Sequence, residues 1–114
     1  MLLRDIVPLL DAVVLSGRRW LDIDIGRAFS SDLMSDVLAF SPEGTLLLTG
    51  LTNIQVVRTC EISGICAVLF VRGKVPGQQV IELAEQFNLP LLACNYSMFE
   101  ASGRLFQSGV KGCR

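Results

Sequence analysis

No histidine occurs anywhere in the 114 residues. That absence removes every Ser/His and Cys/His pair from the possible nucleophilic machinery, and with them the commonest transition-metal ligand. Neither a G-x-x-x-x-G-K-[ST] phosphate loop nor a G-x-S-x-G nucleophile elbow is present, so P-loop kinase and α/β-hydrolase chemistry have no sequence basis. Catalysis would have to run on Lys, Asp or Cys alone, and the chain is expected not to be an enzyme.

An excess of one charge is also missing. Ten Lys+Arg against eleven Asp+Glu leave a net charge of −1, which supplies none of the long-range field that draws proteins to DNA or RNA. Apolar runs of membrane-spanning length are lacking too. The opening Met1-Leu2-Leu3-Arg4-Asp5 has the flavour of a signal peptide, but Asp5, Pro8 and Asp11 interrupt any hydrophobic region. The expected location is the cytoplasm, with no membrane and no nucleic acid as partner. Among the four cysteines, Cys60, Cys66, Cys94 and Cys113, no C-x-x-C pair occurs. They read as buried small hydrophobes with a loose Cys113 near the tail, in preference to a disulfide framework, a zinc site or an iron-sulfur cluster. No metal and no cofactor is implied.

What the chain has in abundance is apolar residues, 51% against 18% charged. The length fits one domain, residues 1–114, with a core of its own. So apolar a composition leaves hydrophobic surface exposed after folding, the usual mark of an interaction site, and points to a homodimer or a permanent partner.

The two halves differ in texture. In the first, Asp5 is placed to cap a short helix with Pro8 in its first turn and a stripe of Ile6, Leu9, Leu10 and Val13. Ser16-Gly17 reads as a turn, and Leu21-Asp22-Ile23-Asp24-Ile25 alternates like a half-solvated edge strand. Ser30 or Ser31 then starts a helix running to Phe40, ended by the turn chemistry of Ser41-Pro42-Glu43-Gly44. In the second half an apolar run, a polar loop and a helical stretch recur three times, with the runs at Thr45 to Thr49, Ala67 to Val71 and Pro90 to Cys94. Continuous apolar character marks strands covered on both faces, hence a largely parallel sheet between helix layers. Thr52-Asn53-Ile54-Gln55 and Ser97-Met98-Phe99-Glu100 fit the capping box. Pro76 is placed to open a helix burying Val80, Leu83, Ala84 and Phe87. A last helix carries Phe99, Ser102, Gly103 and Phe106 on one side and ends at Gly109.

In an open parallel sheet ligands bind beyond the carboxyl ends of the strands, where helix N-termini favour anions. Three loops lead there. Thr49, Gly50, Thr52 and Asn53 come from the first, Arg72, Gly73 and Lys74 from the second, and Asn95, Tyr96 and Ser97 from the third. Together they suit a small anionic or nucleotide-like ligand. Taken singly each has a structural explanation, as a cap, a turn or a solvated rim; the convergence on one edge is what singles them out. Ser31, Asp32 and Asp36 make a second candidate cluster, although acids at i, i+4 read more readily as a wet helix face than as Mg²⁺ ligands.

Leu48-Thr49-Gly50-Leu51-Thr52-Asn53 followed by Val57-Arg58-Thr59 and Val68-Leu69-Phe70-Val71-Arg72-Gly73-Lys74-Val75-Pro76, together with Ser31-Asp32-Leu33-Met34-Ser35-Asp36-Val37-Leu38 upstream, resembles the DRTGG domain family. The likeness spans about Leu21 to Gly109. The chain resembles stand-alone clostridial-type DRTGG proteins and, more distantly, the N-terminal domain of HPr kinase/phosphorylase. The resemblance implies a three-layer α/β/α sandwich with a largely parallel central sheet, similar to the N-terminal domains of HPr kinase and the Mur ligases. It implies a regulatory, ligand-sensing role and not kinase activity. The acidic and basic pair that names the family is replaced here by Thr49-Gly50-Leu51-Thr52-Asn53. Three functions remain open: a non-catalytic sensor of an anionic ligand, an adaptor for a metabolic enzyme or hydrogenase, and an enzyme acting on a phosphorylated substrate through Lys74 and Asp32.

Overall fold

The computed structural model describes residues 1–113. Its centre is the three apolar runs. They form β3 (Leu46–Thr49), β4 (Ala67–Phe70) and β5 (Leu91–Ala93), with every residue buried. The three lie side by side and parallel, Leu46 opposite Ala67 and Val68 opposite Leu91. Strands that bury both faces gain nothing from alternation, which is why these segments are apolar throughout.

Around them a six-stranded sheet is completed by β1 (Val13–Ser16), β2 (Arg27–Ser30) and β6 (Lys111–Gly112), in the order β1-β5-β4-β3-β2-β6. Among the described residues only β1 runs antiparallel in the sheet, against β5. Helices cover both faces. On one, α1 (Leu3–Leu9) and α5 (Met98–Gln107) bring Leu3, Ile6, Ala101 and Leu105 onto Leu46, Leu48, Leu69 and Leu92. On the other, α2 (Met34–Phe40), α3 (Ile54–Ser63) and α4 (Gln78–Gln86) bring Val37, Val56, Val57, Cys60, Val80 and Ala84 onto Leu47, Val68, Phe70 and Leu91. The two sets of strand residues alternate along β3 and β4, as the pleat requires. No helix among the described residues is long and apolar enough to cross a membrane.

The first half departs from its sequence reading in four places. Asp5 is not the N-cap of α1: Leu2 holds that position, and Asp5, three residues on, accepts the Leu2 amide at 3.0 Å. Pro8 consequently falls in the last turn of α1, not the first. The cause is Leu21-Asp22-Ile23-Asp24-Ile25, which joins no sheet strand. Its carbonyls take the orphan amides of α1 instead, Leu3 to Ile23 at 2.9 Å and Arg4 to Leu21 at 2.8 Å, while Ile25 donates to Met1. The alternation is real, since Asp22 and Asp24 face solvent and Ile25 is buried, but it serves a helix terminus. Second, Val13 belongs to β1 and is exposed, not part of the α1 stripe. Third, the strand in this region is β2, which lies between β3 and β6 and not at the sheet edge, and Ser30 ends it. Fourth, α2 begins only at Met34, with Leu33 as N-cap.

Candidate functional site

Because β3, β4 and β5 are parallel neighbours, the loops that follow them meet at one edge. The loop after β4 is a type I′ turn, Val71-Arg72-Gly73-Lys74. Arg72 and Gly73 both have positive φ, 59° and 70°, and the Lys74 amide closes the turn on the Val71 carbonyl at 3.1 Å. Its remaining amides are committed to the loop after β5. Arg72 donates to the Tyr96 carbonyl at 2.7 Å and Gly73 to that of Cys94 at 2.9 Å. A Cβ on Gly73 would lie 3.3 Å from Asn95 Oδ1. The turn therefore offers a ligand its side chains, the exposed Arg72 and Lys74, and not its backbone.

The first loop is joined by the second candidate cluster. Asp32 Oδ1 accepts hydrogen bonds from Thr49 Oγ1 at 2.9 Å and from the Gly50 amide at 2.7 Å. Thr49 Oγ1 in turn accepts from Leu51 N at 3.2 Å. The Asp32 carboxylate oxygens lie 3.6 Å from the point where a Gly50 Cβ would stand, and Arg72 Nη2 lies 3.0 Å from it. A resident anion thus occupies the end of β3 beside the Arg72 guanidinium. Ser31 turns inward on its own loop, its Oγ accepting the Leu33 amide at 3.0 Å. Asp36 lies in the first turn of α2, and since Asp32 precedes that helix, the two acids are not an i, i+4 pair on one helical face.

The cap assignments divide. Ser97 is the N-cap of α5, with Oγ accepting the Glu100 amide at 3.1 Å. The carboxylate of Glu100, however, pairs with Arg104 at 2.9 Å. Thr52 is not the N-cap of α3: Asn53 holds that position, and no side chain caps the helix. Thr52 and Asn53 remain at the rim, leading into an α3 terminus whose first amides have no side-chain partner.

Two contributors escaped the sequence. Arg104, from the second turn of α5, places its guanidinium carbon 4.3 Å from the centre of the Tyr96 ring, close enough for a cation–π contact. Asp11, with φ 49°, follows α1 and lines a hollow of about 340 Å³ with Leu10, Asn95 and Tyr96. Neither sits in a motif; each arrives through the packing of α1 and α5 on one face of the sheet. A larger hollow, about 460 Å³, lies at the opposite edge among Arg18, Arg19, Trp20, Glu85 and Asn88. It gathers none of the strand-end residues, and it abuts the carboxyl end of α4, where helix carbonyls oppose an anion. The rim is the stronger candidate for an anionic ligand.

The thiols are not part of the rim chemistry. Burial pushes Cys60 up to about 12, with the neighbouring Cys66 adding to the effect, and pushes Cys66 up to about 11 and Cys94 upward. All four cysteines are free. Cys113 is not loose: it is half-buried, with Sγ 3.6 Å from both Thr45 Oγ1 and the Ala28 carbonyl.

No protein-family model matches the chain, and no curated protein matches it. Its fold is similar to a solved structure, that of the CBS and DRTGG domains of the regulatory region of Clostridium perfringens pyrophosphatase complexed with the activator diadenosine tetraphosphate. The TM-score is 0.78 at 19% identity, over 93% of this chain and 46% of that one. At that identity the likeness is one of fold. It agrees with the α/β sandwich that the DRTGG resemblance implied, and this chain spans less than half the length of the neighbour.

Proposed function

We propose that the chain is a non-catalytic regulatory module that binds a small anionic, nucleotide-like ligand across the loops after β3, β4 and β5. The observation that carries this reading is Arg72. An arginine held in the left-handed region is strained, and strain of this kind gathers at ligand sites. Here it brings a guanidinium to the end of β3, with Lys74 exposed in the same turn. Phosphate oxygens suit these two cations, and the Tyr96 ring beside its hollow suits a base. The neighbour in fold comes from the regulatory region of an enzyme and was solved with a dinucleotide activator, which supports the same class of ligand.

Asp32 sets the ligand's cost. An incoming phosphate meets a carboxylate already bound to the Gly50 amide, so it either displaces Asp32 or binds beside it against repulsion. Asp32→Asn keeps an oxygen for Thr49 and Gly50 while removing the charge.

The test is thermal unfolding of the purified protein against adenine and guanine nucleotides and phosphorylated metabolites. A ligand at about 100 times its Kd adds roughly 2.7 kcal/mol, a shift on the order of 10 °C for a chain of this size. The expected result is a shift with one compound, abolished by Lys74→Ala and enlarged by Asp32→Asn. No shift with any compound overturns the sensor reading and favours a second one, an adaptor for a metabolic enzyme, which the exposed Ile62 and Val75 support.

A further inference from the structure

Helix α5 buries Ala101 and Leu105 against the sheet and turns a different face outward. At about 100° per residue, Phe99, Gly103 and Phe106 fall within one outward stripe, with Ser102 half-buried at its edge, its hydroxyl 2.7 Å from that of Ser30. Phe99 is 88% exposed and Phe106 71% exposed, and nothing lies within 4 Å of a Cβ built on Gly103. Two bare aromatic rings therefore flank a gap as wide as a missing side chain. We infer that this face of α5 is the contact of a symmetric homodimer, in which two α5 helices pack antiparallel about the Ser102-Gly103 step.

The stripe is complementary to itself. A two-fold axis at that step sets Phe99 of one copy against Phe106 of the other, while the small central residues let the helix axes approach closely. The charges agree with the same orientation. Glu100 and Arg104 stand on one flank of the stripe, paired within the helix at 2.9 Å. Antiparallel packing brings Glu100 of each copy nearest Arg104 of the other; parallel packing aligns like charges. The four rings alone remove roughly 600 Å² from water, more than half of the roughly 1,000 Å² a specific interface needs. The β6 edge at Lys111 and Gly112, beside Phe106, extends the surface further.

The alternative helix for self-association, α2, lacks such a face. Its exposed Leu38 and Phe40 are two residues apart, which on a helix sets them nearly opposite one another.

Sedimentation equilibrium of the full chain provides the test. The wild type is expected to dimerise reversibly, and Phe106→Asp to weaken self-association on the order of a hundredfold, as loss of a central aromatic anchor does. Gly103→Gln, which favours the helix but fills the gap, has the same expected effect and guards against misfolding of the first variant. Leu38→Asp leaves the dimer intact. Glu100→Arg and Arg104→Glu each weaken self-association, whereas an equal mixture of the two variants forms a heterodimer, because both cross-helix charge pairs are then opposite in sign. A monomeric wild type, a dimer indifferent to Phe106→Asp and Gly103→Gln, or one broken by Leu38→Asp overturns the inference.

Discussion

At Arg72 the backbone holds φ 59°, a conformation that costs an L residue roughly 1–2 kcal/mol relative to glycine. The turn tolerates it because its amides are anchored on Tyr96 and Cys94. Arg72→Gly relieves the strain, and the gain is offset in part by the greater freedom of glycine in the unfolded chain. The variant is expected to unfold within a few degrees of the wild type, about 1 kcal/mol either way, while losing the ligand response. Gly73→Ala, one position along at φ 70° and with its new methyl 3.3 Å from Asn95 Oδ1, costs about 1–2 kcal/mol. Thermal melts of the two variants separate the roles: one residue is retained for its cation, the other for its backbone. Equal destabilisation of both would show that Arg72 is present for the fold alone.

Among the elements, β1 depends most on a single position. It is the one antiparallel strand among the described residues, and its end is fastened where Gly17 leaves the sheet. Ser16 Oγ donates to the Leu89 carbonyl at 3.2 Å, and a Cβ on Gly17 would stand 2.6 Å from Pro90 Cα at a φ of 80°. Both strain and collision with backbone oppose any side chain there, and neither is relieved by a rotamer change. Gly17→Ala is expected to cost more than about 2 kcal/mol and to lower the unfolding midpoint on the order of 10 °C. An unchanged midpoint would mean that β1 is not integral to the sheet.

The same strand shows where the sequence could be read and where it could not. Strands β3, β4 and β5 were legible because burial on both faces leaves a continuous apolar run, and α4 because Val80, Leu83, Ala84 and Phe87 repeat at the helical period. β1 was not. Val13 continues the spacing of α1, and Ser16-Gly17 has turn composition; the helix ends at the Leu10 cap and the left-handed Asp11, φ 49°, a backbone feature that no residue type there announces. β2 offers little more, since Arg27-Ala28-Phe29-Ser30 carries two apolar residues while Leu21 to Ile25 imitates a strand beside it. At the rim, the three loops were legible from the parallel order of their strands. Asp32 was assigned to a separate cluster because helix α2 was expected to begin before it. The contact of Asp32 with Gly50 is tertiary, and no local spacing encodes it.

On the scale of the whole molecule, the sheet divides the interior into two cores, and the thiols are tied to that division. Cys60 lies in the core under α2, α3 and α4, whereas Cys66 and Cys94 belong to the core under α1 and α5. Each holds its proton more tightly when folded because burial removes water that would solvate the thiolate. For Cys60 the unfolded thiol titrates near 9.0 and the folded one near 12. Between those values the unfolded chain has released a proton that the folded chain keeps, so stability falls as pH rises. Below the unfolded value both states are protonated and no loss occurs. The slope from Cys60 alone approaches about 1.4 kcal/mol per pH unit, and Cys66, raised to about 11, steepens it. Urea midpoints are therefore expected to hold nearly constant up to about pH 8.5 and then decline progressively toward about pH 11. Alkylation of Cys60 by iodoacetamide should follow global unfolding and not local exposure. A midpoint that stays flat through the alkaline range, or a Cys60 that alkylates in the native protein as fast as a free thiol, would show that this core admits water.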